Sequence, residues 1–97
     1  MTFQDVVSVI HDEHIYGMRK WGGFEEHPHE VGAWMTAIRS HLRKAEDAWA
    51  SQSGDIGALE ELRKVAALCV SCMMQHGAVP RSAYSHATVK NVREERT

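Results

Sequence analysis

Val31, Trp34, Ile38, Leu42, Ala45 and Trp49 recur at spacings of 3, 4, 4, 3 and 4. Alternating steps of three and four keep side chains on one face only in an α-helix, whereas a strand repeats every second residue. This segment is therefore an amphipathic helix, and its apolar stripe has to be buried against another element. The flanking sequence supplies such elements. Thr2 followed three residues later by Asp5 is a capping-box variant that predicts a helix over about residues 3–19. Phe3, Val6, Val7, Ile10, His14, Gly17 and Met18 share one face of it. Gly22-Gly23 breaks that helix, Phe24 to Pro28 read as a loop, and Pro28-His29-Glu30 suits the first turn of the second helix.

Beyond the seam, Ser51-Gln52-Ser53-Gly54-Asp55 is a polar turn able to supply the next N-cap. A third helix is expected over about residues 56–76. Its apolar positions Ile56, Leu59, Leu62, Val65, Ala66, Cys69, Cys72 and Met73 cover more than half its circumference, which places it centrally. His76-Gly77 has the cation and glycine of a helix end. Arg81 to Thr97 is polar with weak periodicity, a tail or a short docking helix. No segment alternates as a strand does, so the expected class is all-α. Three main antiparallel helices form a bundle over residues 1–80, completed by dimerisation, with a polar tail at 81–97.

Size supports the expectation of a partner copy. A chain of 97 residues, 43% hydrophobic, has a thin surplus of burial over conformational entropy, and a shared core deepens it. With 11 Lys and Arg against 13 Asp and Glu, the surface has no overall basic character, so DNA is not an expected partner. Residues 1–30 hold six acidic and two basic groups, and residues 31–76 hold five of each. Any polyanion must therefore be met at a local site. The lack of a long apolar run or a leader-like start predicts no membrane association, and two cysteines suit a reducing cytoplasm.

Seven histidines, four of them in the first 30 residues, raise the question of metal. His27 and His29 alternate between Glu25, Glu26 and Glu30, and His11 and His14 sit one turn apart beside Asp12 and Glu13. Such groups can hold a transition metal, but neither run has a specific ligand spacing. The favoured reading is solvated loop histidines and a packed, hydrogen-bonded His14. Cys69-x-x-Cys72 lies mid-helix on an apolar face, where thiols pack as small hydrophobes. On the second helix His41 edges the seam, Lys44 stands one turn on, and Arg39 and Arg43 take the other flank. On the third helix Glu60 and Lys64 are spaced as an i,i+4 ion pair, with Glu61 at the border of the packed face.

Glu13, Lys20-Trp21-Gly22, His27-Pro28, Trp34 leading a helix, and Glu61-Leu62 with Val65-Ala66-Ala67 together resemble the MazG-like all-α nucleoside triphosphate pyrophosphohydrolases. The likeness is closest to short phage-type members with the run Lys-Trp-Gly-Gly, and it spans about residues 10–76. It implies a helical dimer or tetramer that hydrolyses nucleoside triphosphates with magnesium held by Glu-x-x-Glu on one helix and Glu-x-x-Asp on the next. Aligned by their seams, the helices of this chain carry His41 and Lys44, then Glu61 and Lys64, at those positions. One carboxylate of four is kept, and lysines repel a divalent cation, so no cofactor is expected and magnesium enters only with retained hydrolase activity.

The expected function is therefore binding of a nucleotide or other phosphate-bearing ligand on a degenerate scaffold. Lys20, His41, Lys44 and Lys64 would neutralise phosphate, Trp21 or Trp34 would stack on a base, and Glu61 would be the catalytic remnant. The alternative is a small protein-interaction module, an inhibitor or adaptor of a host protein, anchored by Trp21, Phe24 and Tyr84.

Overall fold

A computed structural model describes residues 1–82. Four helices follow in order: α1 (Phe3–Trp21), the single-turn α2 (Gly23–Glu26), α3 (Val31–Trp49) and α4 (Gly54–His76). There is no strand among the described residues. The predicted tail at 81–97, Tyr84 included, lies outside them apart from its first two residues.

α1 starts where the capping box places it. The Asp5 amide donates to Thr2 Oγ1 at 3.1 Å, and the Thr2 amide donates to Asp5 Oδ2 at 3.0 Å. The helix runs to Trp21, slightly past the expected end, and stops because Gly22 turns left-handed (φ 89°) and caps the Met18 carbonyl. Gly23 is also left-handed, at φ 71°. Two successive positive φ values let the chain restart at once, so Phe24 belongs to a helical turn, not to the expected loop. α3 begins three residues later than Pro28, since Glu30 is still extended. Pro28-His29-Glu30 forms the approach to the helix, held by Gln75, whose Oε1 accepts the His29 amide and whose Nε2 donates to the His29 carbonyl at 2.7 Å.

The turn from α3 to α4 is built by side chains. Ser51 Oγ donates to the Ala48 carbonyl at 2.7 Å, and Trp49 Nε1 donates to Asp55 Oδ1 at 3.1 Å. No side-chain cap precedes α4. Gly54, left-handed at φ 56°, starts the helix two residues before the expected position. α3 and α1 each pack on α4 and not on one another, so the third long helix is central, as its broad apolar face requires.

The core is small. Trp34, Ala45 and Ala67 are its buried hydrophobic residues, joined by His14, and no large side chain is completely enclosed. The predicted face of α1 packs only along its second half. His14 is 8% exposed, with Nδ1 3.2 Å from Ser71 Oγ on α4, while Phe3, Val6 and Val7 remain open. Glu13 and Arg63 lock this crossing at 2.6 Å. The thiols of Cys69 and Cys72 are free and half-buried. No described helix is long and apolar enough to cross a membrane.

Candidate functional site

Where α1 and α2 lean away from the α3–α4 hairpin, they enclose an open cavity of about 1020 Å³. Its position follows from the chain. α1 touches α4 at Glu13–Arg63 and His14–Ser71, then diverges toward the Gly22-Gly23 break, and the gap stays unfilled. Lys20, Trp21, Trp34, His41 and Lys64 all line it, five of the seven residues expected from sequence.

The chemical centre lies between α3 and α4. His41 Nδ1 sits 3.1 Å from Glu61 Oε1, and Lys64 Nζ sits 2.9 Å from Glu61 Oε2. A carboxylate can only accept, so Nδ1 carries the proton and donates, leaving Nε2 as the acceptor nitrogen of the ring. Lys64, and after it His41, holds the Glu61 carboxyl below the usual glutamate range. Glu61 side-chain exposure is 17% against 39% for Lys64. The acid is therefore the recessed support, and the base and ammonium are the groups a ligand can reach. The expected Glu60–Lys64 pair does not form, because Lys64 turns toward the recessed Glu61 and Glu60 stays in solvent.

On the opposite wall Lys20 Nζ lies 5.1 Å from the centre of the Trp21 ring and 5.6 Å from that of Tyr16, and donates to Tyr16 Oη at 3.3 Å. Both rings steady the ammonium by cation–π attraction. Trp21 is 68% exposed, so a face is free to stack. Trp34 is not. It is 7% exposed, donates from Nε1 to Gln75 Oε1 at 2.9 Å, and meets His29 edge-on at 5.1 Å. Its indole is a wall of the cavity and part of the core, which corrects the expectation that it could stack on a base.

Lys44 is the second correction. It is exposed and does not line the cavity. Three residues beyond His41 on an α-helix move the side chain about 4.5 Å along the axis and 60° around it. That carries Lys44 toward the α3–α4 turn and away from the opening.

A magnesium ion needs carboxylate oxygens free to bind it. Glu61 spends one oxygen on His41 and the other on Lys64, and Glu13 is bound to Arg63. The donor set does not suit a divalent cation. Among the described residues no group of three or more His, Cys, Asp or Glu is placed to hold a metal ion.

Sequence reading missed Tyr16, the Glu13–Arg63 pair and Gln75. Tyr16 had a signal, since it stands one turn before Lys20. The other two join residues 50 and 41 or more positions apart, which no local spacing reveals. No protein-family model matches the chain, and no curated protein or solved structure matches it.

Proposed function

We propose that the cavity binds a nucleotide or closely related phosphate-bearing small molecule, without a metal ion, in a homodimeric protein. The observation that carries this is the convergence of three cationic or ionisable groups, Lys20, His41 and Lys64, with an exposed aromatic face at Trp21, on one cavity. Phosphate oxygens take charge-assisted hydrogen bonds from the Lys20 and Lys64 ammonium groups, His41 Nε2 accepts from a hydroxyl of the ligand, and a purine or pyrimidine takes the indole face. A volume of about 1020 Å³ exceeds what inorganic phosphate needs and suits a nucleotide-sized molecule.

Glu61 then has a supporting role. It fixes the His41 tautomer and positions Lys64. In this reading it is not a metal ligand, and the scaffold derives from a MazG-like ancestor, as the resemblance implies. The likeness to phage-type members, and a place in the cytoplasm, belong to the same proposal. Residual pyrophosphohydrolase activity is not part of it, because three of the four metal-binding acids that the resemblance implies are replaced and Glu61, the one kept, is paired with His41 and Lys64.

Isothermal titration with a panel of linear and cyclic nucleotides tests the reading. At 100 µM protein, about tenfold above a dissociation constant of roughly 10 µM, a binding isotherm is expected. Absence of heat across the panel contradicts it. Trp21, largely exposed beside half-buried Phe24, also favours a second reading, an adaptor that anchors a host protein through these rings. A stoichiometric protein partner that survives added nucleotide would select that reading instead.

A further inference from the structure

The central helix has three faces, and only two are used. One meets α1 through Arg63, Ala67 and Ser71, and another meets α3 through Glu61. The third carries Leu59, Leu62 and Met73 at helical spacing, with Ala66 and Cys69 between them. Leu59 is 62% exposed, Met73 45% and Leu62 41%. On α3, Val31, Met35, Leu42 and Trp49 form a matching open stripe beside the residues that pack on α4. The two stripes adjoin on the hairpin, on the side away from the cavity. Positions 59, 62, 66, 69, 70 and 73 include no charged residue.

We propose that this α3–α4 face is covered by the same face of a second copy, about a twofold axis perpendicular to the helices, so that α3 pairs antiparallel with its symmetry mate and the two hairpins make a four-helix bundle. The proposal rests on the dimeric reading above and adds its surface and symmetry; it does not depend on the ligand.

Three observations select a second copy as the occupant. First, seven large apolar side chains of the two stripes, Val31, Met35, Leu42, Trp49, Leu59, Leu62 and Met73, are each between 41% and 64% exposed, a contiguous apolar patch of the kind an interface between copies covers. Second, an antiparallel hairpin with one apolar face is self-complementary, and closing two of them leaves no apolar stripe in water. Third, the charges beside the α3 stripe complement each other only across such an axis. Arg39 and Glu46 lie seven residues apart on the same flank, either side of Leu42, and neither side chain makes an ion pair among the described residues. With the axis crossing α3 near Leu42, Arg39 of each copy stands opposite Glu46 of the other. Symmetry makes two such pairs.

Sedimentation equilibrium of the full chain from 1 to 100 µM, with and without charge variants, tests this. The wild type is expected to be a dimer. Arg39→Glu and Glu46→Arg each place like charges together twice, and each should weaken dimerisation about tenfold, while the double exchange should restore it to within about twofold. Both positions are exposed, so folding is not at issue, and circular dichroism checks it. Leu59→Glu should give a helical monomer at all these concentrations. A wild type that stays monomeric at 100 µM, or that assembles only with a different protein, overturns the dimer. A dimer indifferent to the single charge changes and to Leu59→Glu overturns this face. Nucleotide titration of the same samples separates the two readings, since a monomer that binds ligand defeats only the interface, and a dimer that binds none defeats only the cavity.

Discussion

His41 on α3 and Glu61 on α4 meet at 3.1 Å across the hairpin, with Lys64 on the far oxygen of the same carboxylate. The acid partly neutralises the very groups offered to phosphate. Removing its charge without its shape, by Glu61→Gln, should therefore tighten nucleotide binding a few-fold, whereas Lys64→Ala should weaken it about tenfold. Titration of both variants checks the opposed signs. A purely structural role for Glu61 would weaken binding in both.

The same carboxylate makes stability acid-sensitive. Its pKa is lowered by Lys64 and His41 in the folded state, so the folded chain holds its proton less readily than the unfolded chain. Its contribution is full above the ordinary glutamate pKa of about 4.3 and is lost as pH falls through the lower folded value. Urea midpoints measured from pH 3 to 6 should drop below about pH 4.5, and Glu61→Gln should flatten that drop. An unchanged slope would remove Glu61 from the explanation.

Gln75 closes the other end of the bundle, holding the His29 amide, the His29 carbonyl and the Trp34 indole at once. Gln75→Ala leaves the buried Trp34 Nε1 without a partner, a cost of about 2 kcal/mol. At about 4–8 °C per kcal/mol for a domain of this size, the melting temperature at fixed chain concentration should fall by roughly 10 °C. Trp34→Phe should cost less than Trp34→Ala, which empties the largest buried side chain and removes about 3–5 kcal/mol.

Tryptophan emission separates the two surfaces. Trp21 faces the cavity, Trp34 is buried and Trp49 lies on the open α3 stripe. Nucleotide should quench chiefly Trp21, the exposed ring, and Trp21→Phe should remove most of the signal. Concentration-dependent blue shift should come from Trp49 and vanish in Trp49→Phe. A ligand-induced change that persists undiminished in Trp21→Phe contradicts stacking on this ring, since Trp34 also borders the cavity.

Much of the fold was legible because helix periodicity is local. The α3 seam, the Thr2–Asp5 cap and the central position of α4 all followed from spacing and breadth of apolar residues. What escaped were features set by tertiary crossing. Spacing puts Phe3, Val6, Val7, Ile10, His14, Gly17 and Met18 on one face of α1, but it does not show where along that face another helix crosses: α1 meets α4 around Glu13 and His14, so Phe3, Val6 and Val7 stay open. Seam alignment brought His41, Glu61 and Lys64 to neighbouring positions, and the structure has these side chains in contact; it also grouped Lys44 with them, which lies off the cavity, since alignment fixes register but not how far along the hairpin the cavity extends. Trp34 was an apolar residue on the seam and behaved as one, and its indole nitrogen was spoken for by a glutamine 41 positions away.

The most direct measurement compares nucleotide affinity of the wild type with Lys20→Ala, Lys64→Ala and the double variant by calorimetry, beside a nucleoside lacking phosphate. The account predicts a dissociation constant of roughly 10 µM or tighter for the wild type, about tenfold loss for each single change, near-complete loss for the double, and little binding of the nucleoside. Equal affinity in wild type and double variant, or equal affinity for nucleoside and nucleotide, would contradict the claim that these lysines receive a phosphate.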